Sequence, residues 1–126
     1  MPETIKTYFE EIKEAYAFGH GRSCIALCRA LLEIALFDKL KEKGYFRDTG
    51  NKVSKIDLAE EDNLFKYINL AKQVGILPHK FAEISHQIKI SANKILHLKG
   101  GKINFDQKDT IKIIFKTIEV IEYLNR

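Results

Sequence analysis

Between Arg22 and Gly44 the chain runs through Ile25, Leu27, Leu31, Leu32, Ile34, Leu36 and Phe37, which leave almost no side of a helix polar. A surface helix keeps one apolar stripe, whereas a helix that is apolar around its circumference has to be enclosed by other elements. This segment must therefore be the centre of the fold, and the rest of the 126 residues must surround it. It is not a membrane span, because no uninterrupted apolar run approaches the roughly 18 residues that crossing requires.

The surrounding segments also read as helices, with no convincing strand. From about Glu3 to Phe18, the residues Ile5, Tyr8, Phe9, Ile12, Ala15 and Tyr16 recur at the spacing of one helical face, and Gly19 and Gly21 stop the run. From Gly44 to Asp57 the chain turns polar, with Asp48-Thr49-Gly50-Asn51 as its clearest turn, and predicts a surface loop. A third helix follows, with Leu64, Ile68 and Ala71 inward and Gly75 as a left-handed cap; Asp57 to Asp62 is either its acidic first turn or a separate short helix. Pro78 suits the opening turn of a fourth helix, which ends at Gly100-Gly101. The fifth is capped near Asp106 and carries Ile111, Ile114, Phe115, Ile118, Ile121 and Leu124 inward. The expected architecture is all-α: a single domain over residues 1–126, built as a bundle of about five helices around a central apolar second helix.

A chain of this length buries a real core without disulfides or metals. Cys24 and Cys28 lie four apart in an apolar run with no Cys or His pair at ligand spacing nearby, and read as reduced core thiols. That predicts a cytoplasmic protein, as does the opening Met1 to Lys6, which has no basic segment followed by an apolar one. The formal charge of +4 comes from basic and acidic residues scattered along the chain. Lys39, Lys41 and Lys43 form the densest basic knot, which is either a binding face or a solvated helix end favoured by the dipole.

The polar residues in apolar surroundings are the candidate site. Arg29 and Glu33 are one turn apart on the central helix and read as an ion pair, with Arg29 as the best candidate for a positioned cation. On the fourth helix, Ile84, Ile88, Ser91, Ile95 and Leu98 form one stripe, expected to be core, while His86, Ile90, Asn93 and His97 lie nearly opposite. Asn93 and His97 are again one turn apart; Asn offers donors and an acceptor, and His exchanges protons near neutral pH. They suit proton transfer to a bound phosphate, or else a structural tie between helices with His97 near the helix end. His20 and His79 belong to turns. No phosphate-binding glycine loop, His-Glu-x-x-His helix, Gly-x-Ser-x-Gly elbow or Cys-x-x-Cys pair occurs, which argues against the common hydrolases and metalloenzymes. Neither a metal nor a cofactor is expected.

The span Ala15-Tyr16-Ala17-Phe18 through Cys28-Arg29-Ala30-Leu31-Leu32-Glu33, then Ile76-Leu77-Pro78 and Ile88 to His97, resembles an uncharacterised bacterial domain family grouped with the HEPN superfamily of helical domains. Members occur alone and attached to restriction subunits. The resemblance covers about Ala15 to Leu124. Arg29 and Glu33 match the family's second-helix pair, Asn93 and His97 match directly, Lys89 stands where Arg is usual, and Ala92 where Gly is usual. Catalytic members carry an Arg, then a polar residue, then a His, and the resemblance would imply metal-independent RNA cleavage across a dimer cleft. Here the slot before Asn93 is Ala92, so that arginine is missing, and only Lys89 or Arg29 is left to supply its charge; Lys matches a bidentate phosphate contact less well. The resemblance thus implies a non-catalytic HEPN-like module in a bacterial defence or nucleic-acid-associated setting. It would form a homodimer or dock on a protein partner through a polar network of Arg29, Glu33, Asn93 and His97. The alternative is a ribonuclease toxin or defence effector acting on RNA, with His97, Asn93, Lys89 and Arg29 as its catalytic group. A small-ligand pocket between the second and fourth helices is a third expectation.

Overall fold

The computed structural model describes residues 2–45, 63–96 and 107–126. Five helices lie among them: α1 (Glu3–Ala17), α2 (Gly21–Glu42), α3 (Asn63–Gln73), α4 (His79–Leu96) and α5 (Gln107–Leu124). There is no strand among the described residues. The expected loop beyond Tyr45, the acidic start of the third helix, the Gly100-Gly101 stop, the Asp106 cap and His97 lie outside the described residues.

The glycine stops act through backbone geometry. Gly19, Gly44 and Gly75 all adopt positive φ, at 74°, 87° and 81°, a region open to glycine but costly for other residues. Each closes the helix before it with the same pair of bonds. At the end of α2, Gly44 donates to the Lys41 carbonyl and Tyr45 to the Leu40 carbonyl, both at 3.0 Å. At the end of α3, Gly75 donates to Lys72 and Ile76 to Ala71. These bonds satisfy carbonyls that a helix end otherwise leaves open.

α2 packs against all four other helices, as its all-round apolar sequence demands, while α3 packs on α4 and α4 on α5. Cys24, Ile25, Cys28, Leu31, Leu32, Ala35, Leu36 and Leu40 are buried along it. α1 contributes Ile5 and Ile12 to this core, and α3 contributes Leu64, Tyr67, Ile68 and Ala71.

Two faces turn differently from expectation. On α4 the buried line is Ala82, Ser85, Ile88 and Ala92, with Ile84 and Ser91 only half-buried. The Ser85 hydroxyl satisfies itself by donating to the Phe81 carbonyl at 2.8 Å. On α5 the buried line is Thr110, Ile113, Thr117, Val120, Ile121 and Leu124, and Phe115 is 59% exposed. The Thr117 hydroxyl likewise donates to the Ile113 carbonyl at 2.7 Å, which lets a polar residue sit fully buried.

Candidate functional site

The helical turn brings His86, Lys89 and Asn93, all half-buried, to the flank of α4 beside its buried line, with Ile90 exposed at its edge. α3 lies alongside and sets Phe65 on the same surface. The Phe65 ring is 5.7 Å from the His86 ring, tilted by 52°, and the Lys89 ammonium is 5.0 Å from the Phe65 centroid. A lysine at that range is attracted by the negative face of the ring. Phe65 remains 45% exposed and Ile90 55%, so this is an apolar surface edged by two basic side chains. Asn93 is half-buried one turn beyond Lys89. On the flank facing α5, the Lys116 ammonium donates to Gln87 Oε1 at 3.0 Å.

Arg29 and Glu33 come together on α2, with Nη1 3.9 Å from Oε2 and side chains 22% and 30% exposed. That is a loose pair. The Arg29 Nε is buried and has no hydrogen-bond partner. Glu33 also borders a cavity of about 290 Å3 between α2 and α3, with Ile34, Phe37 and Asp38 from α2 and Tyr67 from α3. The Phe37 and Tyr67 rings are 5.7 Å apart. α3 thus presents one aromatic residue to each neighbour, Phe65 to α4 and Tyr67 to α2.

The cysteines are sealed. Both are free and buried, and the Cys24 thiol donates weakly to the Ile12 carbonyl at 3.6 Å. Burial raises the Cys24 pKa and pushes that of Cys28 up to about 12; a hydrogen bond with Thr117 lowers the latter, and neighbouring Cys24 raises it again. Neither thiol is a ready nucleophile, since reactivity belongs to the thiolate. Among the described residues no group of three or more His, Cys, Asp or Glu side chains is placed to hold a metal ion, and no helix is long and apolar enough to cross a membrane. His79 opens α4 and points its Nε2 at Glu83, 3.7 Å away.

Of the residues singled out in sequence, Arg29 and Glu33 meet, Lys89 and Asn93 share a half-buried flank of α4, and His97 lies outside the described residues. Phe65 was missed. Nothing in its local pattern marks it, because its partners His86 and Lys89 come from another helix more than twenty residues later. The surface as a whole can hold an apolar or aromatic group against Phe65 and Ile90 and attract negative charge at Lys89. No family model matches the chain, and neither a curated protein nor a solved structure matches it.

Proposed function

We propose that the chain is a HEPN-like helical module that works by binding rather than by catalysis, and that the outer face of α4 together with Phe65 joins it to a second copy of itself. The observation that carries this reading is the engagement of both candidate cations. Lys89 lies over the Phe65 ring and Arg29 reaches Glu33, so each already has a partner within the chain. The exposure of Phe65 and Ile90 on one surface supports the binding half, because contiguous exposed apolar groups with a polar edge mark association sites. Charge supports self-association in particular. The cavity on the other flank of α3 carries Glu33 and Asp38, opposite in sign to Lys89, and a two-fold axis near α3 would set each against its counterpart.

Sedimentation equilibrium of the wild type and of Ile90→Asp tests this. A dimer that becomes a monomer in Ile90→Asp, with an unchanged helical circular-dichroism spectrum, is the expected result. A wild type that stays monomeric at millimolar concentration, or a dimer indifferent to Ile90→Asp, overturns it. The non-catalytic half is tested separately by incubating the protein with RNA in chelator. Cleavage that disappears in His97→Ala would replace this reading with the ribonuclease.

A further inference from the structure

Three apolar side chains of α5 stay outside its core line. Phe115 is 59% exposed, and Ile111 and Ile118, on the same side of the helix, are only half-buried. That side also carries four exposed charges, Lys108 and Lys112 before Phe115 and Glu119 and Glu122 after it. None of the four forms an ion pair among the described residues.

Within a single helix this arrangement has the wrong sign twice. Lys108, Lys112 and Lys116 follow one another at single turns and Glu119 and Glu122 are three residues apart, so like charges are neighbours, which destabilises a helix. The macrodipole opposes the pattern too. It favours acids in the first turn and bases in the last, whereas Lys108 stands in the first turn of α5 and Glu122 in a last turn that holds no basic residue. Of the charges in these two turns only Asp109 follows the preference.

A second copy reverses the account. Lys108 and Glu122 are each seven residues, about two turns, from Phe115. Ile111 and Ile118 lie four and three residues away towards one edge of the face, and Lys112 and Glu119 three and four away towards the other. The face is therefore close to palindromic about Phe115, with its charge inverted. Two such helices laid antiparallel across a two-fold axis at Phe115 set Phe115 on Phe115, Ile111 near Ile118, Lys112 near Glu119 and Lys108 near Glu122, each charged pair being made twice. A parallel pairing would set lysine on lysine and glutamate on glutamate, so charge fixes the direction as well.

We propose that the outer face of α5, centred on Phe115, is a second self-association surface at which two copies pair antiparallel. It is separate from the α4 face, because α5 adjoins the other flank of α4, where Gln87 meets Lys116. Its apolar part is small and its charges are exposed, so pairing here is weak and already damped at physiological ionic strength, where the Debye length is about 8 Å. At that ionic strength the oligomeric state is left to the α4 face. At low salt α5 doubles it.

Sedimentation equilibrium in the Ile90→Asp background, which disables the α4 face, tests the α5 face by itself. The expected result is a monomer at about 1 M salt and a reversible dimer at about 0.01 M, as the Debye length grows from about 3 to about 30 Å. Lys108→Glu and Glu122→Lys, each added to that background, should weaken the low-salt dimer about tenfold, since each turns two attractive pairs into repulsive ones. Both suit the dipole of α5, so lost pairing is not lost folding, and the helical circular-dichroism spectrum should be unchanged. Lys108→Glu combined with Glu122→Lys should restore the dimer, because the pairs are reversed and the net charge is that of the parent. A monomer at both salt concentrations, a dimer unmoved by either single substitution, or a combined variant that stays monomeric overturns the proposal. Retention on heparin that Lys108→Glu abolishes, with no dimer at low salt, would assign the lysines to a polyanion instead.

Discussion

α2 and α4 both carry polar residues among apolar ones, yet they deal with them in opposite ways. α2 is enclosed by four helices, so its charged pair is formed within the helix, Arg29 to Glu33, and its thiols are sealed against α1 and α5. α4 packs on α2, α3 and α5 and keeps one side outward, and on its half-buried flank His86 and Lys89 meet a partly exposed aromatic ring from a different helix. The same kind of residue is a cost to be contained on α2 and an accessible surface on α4. How many neighbours a helix has decides which.

Substitution of one leucine should expose that difference most strongly. Leu32 is fully buried, and Leu32→Ala is expected to lower unfolding free energy by about 3–5 kcal/mol, combining lost burial with the cavity left behind. Ile90→Ala, on the outward side of α4, should change it by less than about 0.5 kcal/mol. Urea unfolding of the two variants, at a concentration where the protein is monomeric, measures both. Comparable losses would mean that α4 is enclosed too, and the contrast would collapse.

Alkali should act on α2 through Cys28. The Cys28 pKa rises from an unfolded value of 9.0 to about 12 in the fold, chiefly through burial. A raised folded value means that the folded state keeps its proton longer. The associated stability is present in full below pH 9.0 and is lost as pH climbs towards about 12, because the unfolded chain releases the proton first. One pKa unit is about 1.4 kcal/mol, so the loss reaches roughly 4 kcal/mol at the top of that window. Cys28→Ala should unfold with a visibly shallower pH dependence between pH 9 and 12, whatever its stability at neutral pH. Parallel pH profiles for the two proteins would show that the thiol is not sealed.

On α4 the matching experiment is a double-mutant cycle between Phe65→Ala and Lys89→Met. A lysine over a partly exposed ring is worth about 0.5–1 kcal/mol, and the cycle should return a coupling of that size. A coupling of zero would leave the outward surface of α4 without internal order and weaken its contrast with α2.

Legibility in sequence follows the same division. α2 could be read without choosing a face, since a helix apolar all round has only one place to go, and Gly19, Gly44 and Gly75 marked the helix ends because glycine takes their φ at least cost. Faces were harder. Ala82, Ser85, Thr110 and Thr117 lie in the core although they rank low in hydrophobicity, and Phe115 lies outside although it ranks high. A hydroxyl that returns its proton to the preceding turn has no sequence signature. The candidate surfaces were legible only where their members share a helix, as Lys89 with Asn93. Phe65 beside Lys89 is a product of packing, and periodicity carries no record of it.

Replacement of Arg29 tests whether the α2 pair is contained or merely tolerated. Arg29 and Glu33 are each about a quarter exposed and 3.9 Å apart, so solvent screens much of their attraction, and the pair contributes less than about 1 kcal/mol. Against that stands the buried Arg29 Nε, an unsatisfied donor whose desolvation costs about 1–3 kcal/mol. Arg29→Met keeps the aliphatic stem, removes the orphaned donor and leaves Glu33 exposed enough to hydrate. The two terms oppose each other, and the desolvation term is at least as large. Arg29→Met is therefore expected to be neutral to slightly stabilising, within about 1 kcal/mol, by urea unfolding. Arg29→Ala should be the more destabilising of the two, because it also forfeits the packing of the stem. A loss above about 2 kcal/mol in Arg29→Met would make Arg29 a structural keystone of α2, and the enclosed helix would then depend on its charge as much as on its leucines.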